Sequence, residues 1–190
     1  MDKKFLDSAL DFINLGDDKD NHTPLMCAAK NGHFKVVYQL IKVARADTDT
    51  KAAWNESTAL MVAAECGYDK VVSSLITLHA DMNLRNSFQN TALMLAAELG
   101  KKAVVGALLS HDDVIEKDTK NRYEDTALIL AASNGHKECV DLLIRAGADL
   151  NLSNKFGKTA LIVAAENGML FFSLISSGSY VTINLLPHLH

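Results

Sequence analysis

The chain is poor in the residues that define several common protein classes. Only two prolines and ten glycines occur in 190 residues, which excludes collagen-like and low-complexity chains. Aromatic residues make up 6% against an apolar share of 48%, a balance that favours close-packed helices over a β-sandwich. No apolar run approaches the roughly eighteen residues of a membrane-spanning helix. The three cysteines, Cys27, Cys66 and Cys139, are odd in number and lack Cys-x-x-Cys spacing. Neither a disulfide framework nor a zinc site is expected, and a reducing compartment is the simplest reading. Positive charge is not in excess either. With a net charge of −4, the chain has no overall basic field for nucleic acid. Asp7 and Asp11 interrupt the first apolar stretch, so no secretory signal is read there and the expected location is cytoplasmic.

What is abundant is repetition. Thr23-Pro-Leu-Met-Cys-Ala-Ala-Lys-Asn-Gly recurs as Thr58-Ala-Leu-Met-Val-Ala-Ala-Glu-Cys-Gly and Thr91-Ala-Leu-Met-Leu-Ala-Ala-Glu-Leu-Gly. It returns as Thr126-Ala-Leu-Ile-Leu-Ala-Ala-Ser-Asn-Gly and Thr159-Ala-Leu-Ile-Val-Ala-Ala-Glu-Asn-Gly. The threonines stand 35, 33, 35 and 33 residues apart, and a fixed period of this length signals a stacked repeat. Each threonine suits a helix N-cap, since its hydroxyl can accept an orphan backbone N–H. Leu25, Leu60, Leu93, Leu128 and Leu161 are expected inward, and the Ala-Ala pairs allow close helix approach. A glycine then ends the short helix. A second amphipathic helix follows in each unit, as in Cys139-Val-Asp-Leu-Leu-Ile.

These units closely resemble ankyrin repeats, best of all in Asn134-Gly-His-Lys-Glu-Cys-Val-Asp-Leu-Leu-Ile-Arg-Ala-Gly-Ala-Asp. The resemblance implies an all-α solenoid of helix-turn-helix pairs with projecting hairpin loops. The family's Thr-Pro-Leu-His loses its histidine to Met26, Met61, Met94, Ile129 and Ile162, which substitutes apolar packing for a polar link. The expected layout is one domain over 1–190. It comprises an amphipathic capping helix at 1–17, repeats near 18–52, 53–85, 86–120, 121–153 and 154–186, and a tail at 187–190. The longer intervals place two extra residues near Val43–Ala53 and two near Ser110–Asn121. Met169–Ile175 is more apolar than an end unit should be. It either folds over the end as a cap or meets a further domain; contact between copies of an otherwise monomeric chain is a third reading.

A search for chemistry returns little. No Gly-x-x-x-x-Gly-Lys, His-Glu-x-x-His or Gly-x-Ser-x-Gly occurs. His33 and His136 follow turn glycines, where the resemblance implies a structural histidine. Cys66 and Cys139 lack an identifiable base. No catalytic residue, cofactor or metal is expected, and the chain is read as non-enzymatic.

Function is therefore expected on a surface. The resemblance implies a concave groove lined by loop tips and by the exposed face of each first helix. At the tips, three residues before each threonine, come Asp20, Asn55, Phe88, Tyr123 and Phe156; one residue earlier stand Trp54, Arg122 and Lys155. Aromatics at turn tips, where Asp, Asn and Gly are favoured, suggest binding anchors. On the helix side the candidates are Glu65, Glu98, Leu99, Asn134 and Glu166. The glutamates suit a protein or peptide partner with basic and apolar side chains, rather than nucleic acid or a membrane. The module is expected to act as an adaptor or inhibitor, or alternatively as the targeting part of a longer protein with an enzymatic domain. Such modules are common in eukaryotic proteins and in effectors that intracellular bacteria send into host cytosol.

Overall fold

A computed structural model describes residues 22–111 and 113–168. The expected capping helix at 1–17 and the apolar segment Met169–Ile175 lie outside the described residues. Within them the chain forms nine helices in chain order: α1 Pro24–Lys30, α2 Phe34–Lys42, α3 Ala59–Cys66, α4 Asp69–Thr77, α5 Ala92–Glu98, α6 Lys102–Leu109, α7 Ala127–Ser133, α8 Lys137–Arg145 and α9 Ala160–Glu166. The only β pairing among the described residues is an isolated bridge between Ser153 and Thr159.

The threonine grammar is visible atom by atom. Thr23, Thr58, Thr91, Thr126 and Thr159 each cap a first helix, their Oγ1 accepting the N–H three residues on at 3.3–3.4 Å. The helices can be this short because packing, not length, stabilises them. First helices stack on one another (α1 on α3, α3 on α5, α5 on α7, α7 on α9), and second helices form a parallel layer from α2 through α8. Ala29, Ala63, Ala64, Ala96, Ala97, Ala131 and Ala132 are fully buried between the layers. Leu60, Leu93 and Leu128, with Met61, Met94 and Ile129, fill the same continuous core. The histidine-to-apolar replacements of the repeat are thus core residues, except that Ile162 in α9 is exposed.

The structure divides the first pair of extra residues between two places. Ala46 N–H reaches back six residues to the Leu40 carbonyl, whereas Ala80 and Ala148 reach five, to Leu75 and Leu143. One surplus residue therefore lies just after α2. The second enters the following tip, where Ala52 N–H spans five residues to the Ser57 carbonyl. The corresponding span is four from Asn86 to Asn90, Asn121 to Asp125, and Asn154 to Lys158. After α6 both surplus residues precede Asn121, because that tip closes normally. Single insertions in loops cost little, since closure entropy grows slowly with length.

Candidate recognition surface at the loop tips

Each regular tip is built around an asparagine. Asn86 Oδ1 accepts the N–H groups of Phe88 (2.9 Å) and Asn90 (3.0 Å). Asn121 does the same for Tyr123 and Asp125, and Asn154 for Phe156 and Lys158. The side chain replaces a backbone acceptor and pulls the loop into a tight turn. The residue after each aromatic then takes a left-handed conformation: φ is 63° at Gln89, 61° at Glu124 and 71° at Gly157. Held between these two constraints, the aromatics project outward. Phe88 and Tyr123 are about half exposed, and Phe156 is 69% exposed.

The inserted residue changes the second tip. Asn55, expected at the apex, is buried, and its Oδ1 accepts the Ser57 N–H at 2.9 Å. Trp54 occupies the outer position instead, 64% exposed.

The tips are joined edge to edge. Ser87 N–H donates to the Asn55 carbonyl, Arg122 N–H to Phe88, and Lys155 N–H to Tyr123, at 2.9–3.1 Å. This register sets the residue before one aromatic beside the aromatic of the preceding repeat. The Arg122 guanidinium consequently lies 5.8 Å from the Phe88 ring centre and donates to the Ser87 carbonyl at 2.6 Å. Lys155 Nζ lies 4.0 Å from the Tyr123 ring centre and 5.0 Å from that of Phe156. Trp54, Phe88, Tyr123 and Phe156 thus share one edge, interleaved with Arg122 and Lys155.

The helix-side candidates are less uniform. Burial, and then the neighbouring Glu98, pushes the Glu65 carboxyl above its ordinary range. Glu166 is paired with Lys158 at 2.8 Å. Asn134 Nδ2 caps its own helix by donating to the Leu130 carbonyl at 2.9 Å, and Leu99 is exposed. Of the expected acidic row, Glu65 and Glu98 are neighbours, while Glu166 is locally neutralised.

A family model for ankyrin repeats matches residues 3–86, 25–121, 70–154 and 93–184 in overlapping blocks. The chain belongs to the ankyrin repeat family. No curated protein matches it. In this ankyrin stack the residue after a turn glycine covers the glycine of the preceding repeat: Tyr68 over Gly32, Lys101 over Gly67, His136 over Gly100. The two thiols weighed as nucleophiles are pushed upward and stay protonated at neutral pH. Burial and Glu65 act on Cys66 against Lys30 and Lys101, while burial and Glu138 act on Cys139 against Lys102. A protonated thiol is a poor nucleophile. Among the described residues no cluster of three His, Cys, Asp or Glu is arranged to hold a metal ion. No described helix is long and apolar enough to cross a membrane.

Sequence reasoning missed a second row beneath the tips. Lys51 Nζ donates to the Arg85 carbonyl at 2.9 Å, Arg85 Nη2 to that of Lys120, and Lys120 Nζ to that of Ser153 at 2.7 Å. Three cations at matching repeat positions were a readable signal once the insertion was placed. Their targets, carbonyls of the adjacent repeat, were not.

Proposed function

We propose that this ankyrin stack is a non-catalytic recognition module, an adaptor or inhibitor that binds a protein or peptide segment across its loop tips and the adjoining ends of its first helices. Ankyrin repeats are generally protein–protein interaction modules and typically lack catalysis. The observation that carries the reading is the row of four exposed aromatics on one edge, Trp54, Phe88, Tyr123 and Phe156. Large rings presented outward from hydrogen-bonded turns lose little conformational entropy on binding, which is what anchor residues require. Glu65, Glu98 and Leu99 extend the surface towards the helices and suit basic and apolar side chains there.

The test is a quantitative pull-down from eukaryotic cytosol with wild type and a Trp54, Phe88, Tyr123, Phe156→Ala variant whose melting curve matches wild type. Proteins retained by wild type and lost by the variant are expected. Equal retention by both places the binding surface elsewhere.

A further inference from the structure

The tip edge differs in charge from the rest of the chain. Loops 51–57, 85–90, 120–125 and 153–158 carry six Lys or Arg against three acids, although the net charge is −4. The loops that follow the second helices, 43–50, 78–84, 110–119 and 146–152, hold eight acids against two cations. Acidic residues thus predominate in the stretches that lead into the tips, and basic residues at the tips themselves.

The three acids at the tips are already engaged. Glu56 pairs with Lys51 at 3.2 Å, Glu124 pairs with Lys120 at 3.6 Å, and Asp125 Oδ1 accepts from Asn154 Nδ2 at 2.8 Å. Lys158 is held by Glu166, and Arg85 donates to the carbonyls of Gln89 and Lys120. Arg122 and Lys155 remain. Both are exposed, and among the described residues no carboxylate forms a salt bridge with either. Each instead lies against an aromatic ring, which positions the cation without neutralising it.

Resting on the reading of the tips as the binding site, we infer that this edge takes an extended acidic peptide segment with two carboxylates three residues apart. One carboxylate meets Arg122 and the other Lys155, with apolar or aromatic side chains beside them on the exposed rings. The spacing follows from the stack. Packed helices lie about 8–10 Å apart. A polyproline II segment, with three residues per turn at about 3.1 Å each, returns to the same face after about 9 Å. Guanidinium and ammonium groups donate charge-assisted bonds to carboxylates, and apolar neighbours exclude water from them.

The experiment selects random short peptides displayed on phage against the full chain, then measures the selected peptides by fluorescence anisotropy. Three proteins are compared: wild type, Arg122→Gln/Lys155→Gln, and the four-aromatic alanine variant, each shown folded by its melting curve. The expected peptides carry Asp or Glu at i and i+3. They bind the double charge variant about tenfold more weakly, a difference of about 1.4 kcal/mol. Moving the second acid to i+2 weakens them further. Should the Arg122 change unfold the protein through loss of its bond to Ser87, raising salt on wild type reads the same contacts, because exposed ion pairs are screened. Peptides without acidic bias, or insensitive to both salt and the charge variant but lost with the aromatic variant, overturn this inference and leave the tip site standing. Peptides that bind all three proteins equally, or no selected peptides at all, overturn both.

Discussion

His136 Nε2–H donates to the Glu98 carbonyl at 2.9 Å, one repeat back, while its ring covers Gly100. The imidazole thereby closes the C-terminal end of α5 and fills the space a side chain at Gly100 would need. A Cβ there would lie 2.5 Å from His136 Nδ1, on a backbone with φ of 66°. Gly100→Ala is expected to cost about 1–3 kcal/mol in denaturant unfolding. In a His136→Ala background the penalty should fall to the left-handed backbone cost, about 1 kcal/mol. Equal penalties in both backgrounds would show that the ring is not what the methyl meets.

Gly157 separates backbone strain from crowding. Its φ is 71°, but among the described residues nothing lies within 4 Å of an added Cβ. Gly157→Ala is expected to cost about 1 kcal/mol from conformation alone. The converse change, Gln89→Gly at φ 63°, relieves that strain but frees the unfolded chain. It should leave stability within about 0.5 kcal/mol of wild type. A large loss would reveal a contact of the Gln89 side chain that the tip depends on.

Ser57 and Thr58 are adjacent buried hydroxyls with opposite roles. Thr58 Oγ1 caps α3, whereas Ser57 Oγ is buried without a hydrogen-bond partner among the described residues. Thr58→Ala should destabilise by about 1 kcal/mol. Ser57→Ala removes an unpaired polar atom and should be neutral or stabilising. Paired urea melts decide the matter, and a marked loss at Ser57 would mean its hydroxyl is bonded in solution.

Glu65 carries a pH signature. Burial, then repulsion from Glu98, raises its folded-state value above the unfolded one, so the folded chain holds this proton to higher pH. Ionisation of Glu65 therefore opposes folding at neutral pH. That opposition fades as pH falls through the raised value towards the ordinary carboxylate range. Glu65→Gln should be more stable than wild type near neutrality, with the gap closing in acid. A variant less stable than wild type at neutral pH would show that the charge is stabilised by a contact.

Much of the architecture was legible because it is local. The threonine caps, the inward leucines and the Ala-Ala pairs each act within one helical turn or one period, so an aligned sequence displays them. The four exposed aromatics were readable for a similar reason: a ring at a tight turn stands out against the Asn, Asp and Gly usual there. Counting back from Thr58 put Asn55 at the apex, and its backbone is there, its carbonyl accepting the Ser87 N–H as Phe88 accepts that of Arg122. What the count did not show is that the Asn55 side chain is buried and that Trp54 is the exposed ring. The expected acidic row also changed. Glu166, the last residue of α9, reaches back along the helix to Lys158, just before its N-cap.

The sequence by itself determined the repeat, its described helices and its core, because those follow from periodicity and short-range capping. Only the tertiary structure decided which side chains of successive repeats meet. Arg122 over Phe88, Lys155 over Tyr123, His136 on Glu98 and the Lys51–Arg85–Lys120 row all join residues about one repeat apart. Such contacts depend on the register between stacked units. That register is set jointly by core packing and by single-residue insertions whose positions a threonine-to-threonine count cannot resolve.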